Sequence, residues 1–446
     1  MTHFVTNDCS VHEPHSSENT SSVFQEDTYG TAGPKLSQYS SSEAYVSSDE
    51  MTYSMEIRGY LALRYLRRFR RDRLGVVREL SKCEKDVLIA LPGMRFHFLF
   101  NSKTREEILG PYFGKLDRGL GLSNLRDAIG PSMLTSSGAT WMRARQTNAR
   151  TFRAFTADGV FDAWQRQKKV QRVATILTCD FGEEFSSRIL SNATTGDPGG
   201  LDKQTWEAKE RTSQLISRLM TTPFKPLQVV QMCLGQAWHS TSRNLTQFAQ
   251  VKMHGRWQGL PASERLGLLF AGGETISALL AWTLLRLAHS PEWQELVRNR
   301  SEGALRAFLF EVLRLHPPVW MISRRANCDF SVCNIRIRAG DHVLLPIWAY
   351  HRDPKCFVNP KSFDPTRFFD TTREMRKSFL PFGIGPHTCP GRHCLSSVFA
   401  SIILPLLEHY EVSAGQSQPD WNGVPGLSLF PAKDAAVLLK SRNKVS

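Results

Sequence analysis

Long apolar runs are missing from this 446-residue chain, and none approaches the roughly eighteen uninterrupted residues that read as a membrane span. Its N-terminus lacks a basic segment followed by an apolar one, and residues 1–50 hold no arginine. Neither a secretory signal nor an organellar transit peptide is therefore expected. Cysteine is present at nine positions, but in odd number and without regular spacing, which excludes a disulfide framework and favours a reducing compartment. These absences lead to the expectation of a cytoplasmic protein without a transmembrane anchor. Internal repeats are missing too, as is any clean interdomain linker after residue 50.

Bases are almost missing from residues 1–50, where Lys35 stands against eight acids. That segment carries −7, which leaves +21 on the remainder of a chain whose formal net charge is +14. It is rich in Ser and Thr and poor in aliphatic residues, so it cannot bury enough surface to offset the entropy of ordering. It is expected to be a disordered tail, with 51–446 forming one domain. A strongly basic body attracts acidic partners. Nucleic acid or an anionic membrane surface would give the same charge signature.

A stretch from Ile57 to Arg73 carries seven arginines, with Leu61, Tyr65 and Phe69 spaced four apart, and predicts a helix with a basic face. Such a helix either opens the folded body or lies on a membrane surface. Residues 87–100 read as two strands broken by Pro92-Gly93, a hairpin. Further strands are expected near 330–338 and 343–346, and a closing hairpin from 426–431 and 436–440. The middle of the chain, about 140–315, has helical periodicity. The fold class that follows is mainly α with a small, mostly antiparallel β region.

The densest chemistry lies in Phe382-Gly-Ile-Gly-Pro-His-Thr-Cys389-Pro-Gly391, followed by an apolar helical run from Cys394 to Leu404. A thiolate at a helix N-terminus is stabilised by free N–H groups and by the helix dipole. Gly383, Gly385 and Gly391 let the backbone turn tightly and approach a flat partner. A sulfur presented in this way suits an axial ligand of heme iron. Two plainer readings compete. One is a buried structural cysteine. The other is a zinc site from His387, Cys389, His393 and Cys394, whose spacings do not match paired ligand knuckles.

With Phe382, Gly385, Cys389 and Gly391 in the pattern Phe-x-x-Gly-x-x-x-Cys-x-Gly, the chain resembles the cytochrome P450 family, the heme-thiolate monooxygenases, over roughly residues 57–446. In lacking an N-terminal anchor it resembles the soluble bacterial type. The resemblance implies the cytochrome P450 fold, heme b as cofactor and Cys389 as its iron ligand. Ala271-Gly-Gly-Glu274-Thr275 interrupts a helical pattern from about 263 to 289, and mid-helix glycines cost about 1 kcal/mol each relative to alanine. They either open space and a local break over a flat ligand or permit close helix packing. The family carries an acid–alcohol pair here, which makes Glu274 and Thr275 the expected catalytic residues.

Glu311 and Arg314 share one helix face, and the resemblance adds Arg367 to complete a structural Glu-Arg-Arg triad. Trp141 and Arg145 lie one helical turn apart, where the family grips a heme propionate with a planar, bidentate guanidinium. Arg324, with Arg325 as its adjacent alternative, and His387 fall at further propionate positions.

No FMN, FAD or iron–sulfur module is visible. The resemblance therefore implies a separate electron donor, an acidic ferredoxin or flavodoxin type served by its own reductase. It also implies a lipophilic substrate of terpenoid, polyketide or fatty-acid kind, such as secondary metabolism handles. Pocket walls are expected from about 118–140, 215–232, the start of the Gly272 helix, Val319–Ile322 and Leu427–Phe430. Three rivals stand beside this: a heme-thiolate enzyme of oxidative coupling, desaturation or peroxide-dependent type; a non-catalytic heme-binding protein; and a basic nucleic-acid or membrane binder. The ordered series of motifs argues against the last.

Overall fold

The structure is a computed structural model that describes residues 55–83, 85–153, 156–168, 173–219, 259–415 and 418–442. The expected acidic tail and part of one expected pocket wall, 220–232, lie outside the described residues.

In chain order the α-helices are α1 (Gly59–Arg71), α2 (Arg73–Ser81), α3 (Ser102–Leu109), α4 (Leu120–Ile129), α5 (Gly138–Arg153), α6 (Val160–Gln167), α7 (Thr178–Thr195) and α8 (Lys203–Leu219). They continue with α9 (Ala262–Ala288), α10 (Pro291–Arg298), α11 (Ala304–Leu315), α12 (Ile347–Tyr350), α13 (Arg373–Ser378) and α14 (Leu395–His409). One six-stranded sheet runs in the order β1 (Met55–Arg58), β2 (Val87–Leu91), β3 (Met94–Phe98), β9 (His342–Leu345), β6 (Ile322–Ala326), β4 (Leu116–Arg118). A second joins β10 (Tyr410–Ala414), β13 (Ala436–Ser441) and β5 (Val173–Leu177); β7 (Phe330–Val332) with β8 (Ile335–Ile337), and β11 (Val424–Pro425) with β12 (Leu429–Phe430), form small ribbons. Only β1–β2 and β3–β9 are parallel, so the β region is mostly antiparallel as expected.

Three sequence expectations need correction. The basic stretch 57–73 is not one helix: Ile57 and Arg58 belong to β1, and the helix ends at Asp72, whose backbone is non-helical and whose side chain accepts from Gly75 N–H at 2.8 Å. That carboxylate is an N-cap and starts α2 in a new direction. The closing hairpin does not form either. β12 pairs with β11, while β13 lies between β10 and β5, because its long apolar strand finds longer partners elsewhere. Lastly, α9 runs unbroken through Gly272 and Gly273. Gly273 O accepts from Ser277 Oγ at 2.6 Å and from Ser186 Oγ of α7 at 3.1 Å, so neighbouring hydroxyls brace the ladder there.

Helix α9 is the centre of the molecule. Its apolar residues pack against α7 and α11 in one cluster with Trp164, Phe185, Trp282 and Phe308. The approach to α7 is close, since a Cβ on Gly182 would meet Ser277 O at 2.2 Å. Two helical stretches, Ala262–Ala288 and Pro390–His409, are long and apolar enough to cross a membrane, although polar residues interrupt both. The first is largely buried as the core helix, and the second lays Val398, Phe399, Ile402, Ile403, Leu406 and Leu407 into the same core.

Glu311, Arg314 and Arg367 meet in the structure. Arg314 Nε and Nη2 donate to the two oxygens of Glu311 at 2.7 and 2.6 Å, and Arg367 Nε donates to Oε1 at 3.3 Å. Asp364 N–H adds a further bond at 2.8 Å, and Arg314 spends its other protons on the carbonyls of His351, Pro360 and Ser362. His351 is fully buried; its Nδ1–H donates to Arg314 O at 3.1 Å, and its Nε2 accepts from Leu380 N–H at 2.9 Å. That ring therefore links the triad to the segment entering the Cys389 loop.

Burial, and then the Arg314 and Arg352 charges, hold the His351 pKa well below the usual histidine value; burial and Arg286 do the same to His316. The unfolded chain takes up protons below about pH 6.5 that these folded rings refuse, so stability is present above that pH and is lost on acidification. The slope approaches roughly 1.4 kcal/mol per pH unit for each ring. Denaturant midpoints measured from pH 7.5 to 5 should fall, and His351→Gln should flatten that fall.

Candidate active site

Cys389 sits at the N-terminal edge of a 3-10 turn, Pro390–Cys394, that leads into α14. The loop before it is fixed by its own backbone: Cys389 N–H donates to Phe382 O at 2.9 Å, and Thr388 N–H to Gly385 O at 3.0 Å. Gly383 and Gly385 have φ of 68° and 71°, a region that disfavours other residues. A Cβ on Gly385 would also strike Leu109 O at 2.1 Å. Phe382 packs against the main core and anchors the loop.

The Cys389 side chain is exposed, yet enough protein surrounds it that burial is the main influence and pushes its thiol pKa up. Backbone N–H groups of Gly391 and Arg392 and the Arg145 guanidinium pull the other way. They are placed to stabilise a sulfur anion once a cation binds it. Among the described residues no group of three or more His, Cys, Asp or Glu could hold a metal, so a multidentate zinc site has no geometry here.

Beside this loop the structure gathers positive charge. Trp141 and Arg145 lie on one face of α5, and the Trp141 ring meets the His387 ring edge-on at 4.6 Å, with Phe113 against both, 4.8 Å from His387 and 5.6 Å from Trp141. Arg324 is buried on β6 and reaches His387 Nδ1 at 3.5 Å, whereas Arg325 points to solvent. Of the two, Arg324 is therefore the one that faces the site. His387 Nε2 is buried without a partner, and burial with Arg118, Arg324 and Arg145 pushes its pKa down to about 2. The imidazole is therefore neutral.

Arg118 is the residue that sequence reading missed. It ends the three-residue strand β4, and the register sets it directly opposite Arg324. Its Nε and Nη2 donate to Ser136 O and Met133 O at 3.1 and 2.9 Å. Burial, then Arg324 and Arg145, push its pKa down to about 9. Like charges directly opposed across strands are destabilising. No carboxylate among the described residues forms an ion pair with Arg118, Arg145 or Arg324. Three guanidinium groups, an orphan imidazole nitrogen and an indole thus converge without an anion, a short way from an exposed thiol. The set fits a flat dianionic group that also offers a soft metal to sulfur.

On α9, Thr275 is half-buried and its hydroxyl donates to Ala271 O at 2.7 Å. Glu274 is buried, and its Oε1 lies 2.6 Å from Lys209 Nζ of α8. The two glycines before it serve close packing: a Cβ on Gly272 would meet Leu190 at 3.2 Å, and one on Gly273 would meet Lys209 at 3.1 Å. An apolar cluster joins α4, the loop after it and α9 through Leu122, Leu125, Leu134 and Leu268, with Leu427 against it.

Comparisons with known proteins converge on one family. The family model "Cytochrome P450" matches residues 262–438. Cytochrome P450 4V2 of Pongo abelii is 27% identical over 77% of this chain and 80% of its own length. Its human counterpart matches at 28% identity over 39% of this chain, so the chain spans only 37% of that relative's length in the match. In structure the chain is similar to CYP175A1 from Thermus thermophilus, with a TM-score of 0.72, 21% identity, and coverage of 87% of this chain and 100% of that one.

Arg118→Gln should lower hemin affinity by roughly ten- to a hundredfold, the worth of one charge-assisted hydrogen bond. Titration of apoprotein with hemin checks this, and an unchanged affinity would remove Arg118 from the site.

Proposed function

The chain belongs to the cytochrome P450 family, whose members carry a heme iron, and from that premise we propose that it is a monooxygenase inserting one atom of O2 into a lipophilic small molecule. The observation that carries this reading is the opposition of half-buried Arg118 and buried Arg324, without an acid, beside the exposed sulfur of Cys389. We assign heme b to the site, with Cys389 as iron ligand and Arg118, Arg145, Arg324, Trp141 and His387 around its propionates. When bound, such a group would supply O2 activation, and Cys389 would hold its iron through sulfur.

The chain's own residues do the rest. Gly391 leaves the sulfur clear on one side: a Cβ there would stand 3.7 Å from Sγ. Glu274 holds a negative charge near the middle of α9, and Thr275 holds a proton at Oγ1 that it gives to Ala271 O. In the proposed reaction this pair supplies protons. The apolar cluster of Leu122, Leu125, Leu134 and Leu427 supports a lipophilic ligand and keeps water out.

Electrons come from a separate protein in this proposal, an acidic ferredoxin or flavodoxin type. The +21 body supports that, as do exposed Arg392 and His393 in the turn after Cys389. Cys83, Cys179, Cys333, Cys356 and Cys389 are free thiols, which supports a reducing, cytoplasmic setting.

Cys389→Ser should abolish the thiolate-type carbonyl absorption band of the reduced holoenzyme; a variant that keeps the band contradicts the ligand assignment. Thr275→Ala should divert donor electrons from product to hydrogen peroxide, measured with a lipophilic ligand first found by its spin-state shift. Unchanged coupling would move proton delivery to another group.

A further inference from the structure

A second gathering of guanidinium groups stands on other elements than those around Cys389, and its contacts close a circuit. Arg286, in the last turn of α9, donates from Nε and Nη2 to His316 Nε2 at 3.0 and 2.8 Å. Its Cζ also stacks on Trp421, 3.6 Å from the ring centroid. The next residue, Asn422, accepts from Arg78 Nη2 of α2 at 2.6 Å. Arg78 lies over the Trp348 ring of α12 at 5.4 Å, and Arg352, just past α12, lies over the same ring at 4.1 Å. Arg352 Nη2 donates in turn to the carbonyl of Leu315, the neighbour of His316, which completes the circuit. Among the described residues no carboxylate forms an ion pair with Arg78, Arg286 or Arg352. The acids of the adjoining segments are engaged elsewhere: Glu311 by Arg314 and Arg367, Glu79 by Arg68 and Tyr65, and Asp420 by the N–H of Asn422.

Two buried donors belong to this circuit and have no partner. His316 Nε2 is the acceptor for Arg286, so the ring proton sits on Nδ1, and that atom is buried without an acceptor. The indole Nε1–H of Trp348 is buried and unpaired as well. Buried donors are rarely left so, because the cost of stripping their water is not returned. Burial pushes the Arg286 pKa down to about 9, and burial with Arg314, Arg286 and Arg78 holds that of Arg352 well below its ordinary value. Crowded guanidinium groups with an orphan imidazole nitrogen also mark the cluster of Arg118, Arg145 and Arg324.

We propose that this circuit is a second anion site, which takes a phosphate-type oxyanion between Arg78, Arg286 and Arg352, with the His316 Nδ1–H and the Trp348 Nε1–H as further donors. The donor count selects the chemistry. A carboxylate offers two oxygens, whereas three guanidinium groups and two ring N–H groups suit the four oxygens and double charge of a phosphate. Arg78 is exposed and Arg286 and Arg352 are half-buried, so the ion enters from the surface beside α2. Occupancy ties Trp421 and Asn422 to α9 and α2. Trp282, stacked on His316 at 3.7 Å, donates to Leu429 O at 2.9 Å, and Leu429 N–H donates to Pro318 O at 3.0 Å. The ion thus steadies the segment 421–430, which carries Leu427 of the apolar cluster. The site is independent of the proposed reaction and stands or falls without it.

The test is the melting temperature of the purified holoprotein in rising sodium phosphate, with ionic strength held constant by sodium chloride. A saturable rise of about 2–5 °C is expected. Arg78→Gln changes an exposed side chain and should move the midpoint of that rise to roughly tenfold more phosphate. Trp348→Phe keeps an aromatic ring and removes the N–H. It should move the midpoint in the same direction, while the melting temperature without phosphate should not fall, because an unpaired buried donor is lost. Arg67→Gln, on the exposed face of α1, should leave the midpoint where it is. Glycerol 2-phosphate in place of phosphate separates the sources: a rise with both assigns phosphate esters as well, and a rise with phosphate alone assigns the free ion. A flat or unsaturated response overturns the site, as does a midpoint that Arg67→Gln moves as far as Arg78→Gln, which is screening of the basic body. A rise lost in Arg118→Gln but kept in Arg78→Gln places the anion beside Cys389 and overturns it too.

Discussion

A carboxylate without access to water must be answered by donors, and Glu311 is such a group, with no exposed side-chain surface. Arg314, Arg367 and the Asp364 N–H answer it, and Arg314 in turn ties down three backbone carbonyls of the segment 351–362. Removing one member of such a set leaves an uncompensated buried charge, a loss of about 3–5 kcal/mol. The other side chains that matter are arranged from this point. His351 hangs from Arg314 O and accepts from Leu380 N–H, which starts the loop that ends in Cys389. The triad is therefore remote from the chemistry, yet it sets where the sulfur stands.

The second constraint is opposite in kind, an excess of charge left unanswered. Arg118 and Arg324 face each other across β4 and β6, Arg145 joins from α5, and the neutral His387 ring packs with Trp141 and Phe113 in one aromatic cluster. Three elements far apart in sequence converge on a place that repels itself until an anion arrives. The fold thus stores electrostatic cost at this cluster and offsets it with the cores around α9 and the β sheet. This division, a satisfied knot behind the sulfur and an unsatisfied one beside it, separates support from binding.

Much of this was legible in local sequence. The Cys389 loop announces itself because its glycines, its cysteine and the following helix are contiguous. Glu311 and Arg314 are a helical turn apart, and the hairpin of β2 and β3 is marked by Pro92-Gly93. What escaped depends on distant pairing. Arg118 lies in a three-residue strand whose meaning comes only from its register with β6. Lys209 looks like any lysine of a charged helix until α8 is laid on α9. The closing hairpin failed because β13 found β10 and β5, and no local pattern reveals which strand a long apolar partner will choose. The glycine pair of α9 leaves two readings open in sequence, a local break or close packing, and close packing against Leu190 and Lys209 accounts for it in an unbroken helix.

The central claim is that this fold presents one cysteine sulfur to an iron held by a cationic rim. Iron K-edge X-ray absorption on the purified ferric protein examines that bond directly. The account predicts one sulfur neighbour at bonding distance in addition to the pyrrole nitrogens, and a coordination shell of nitrogen and oxygen alone would contradict it.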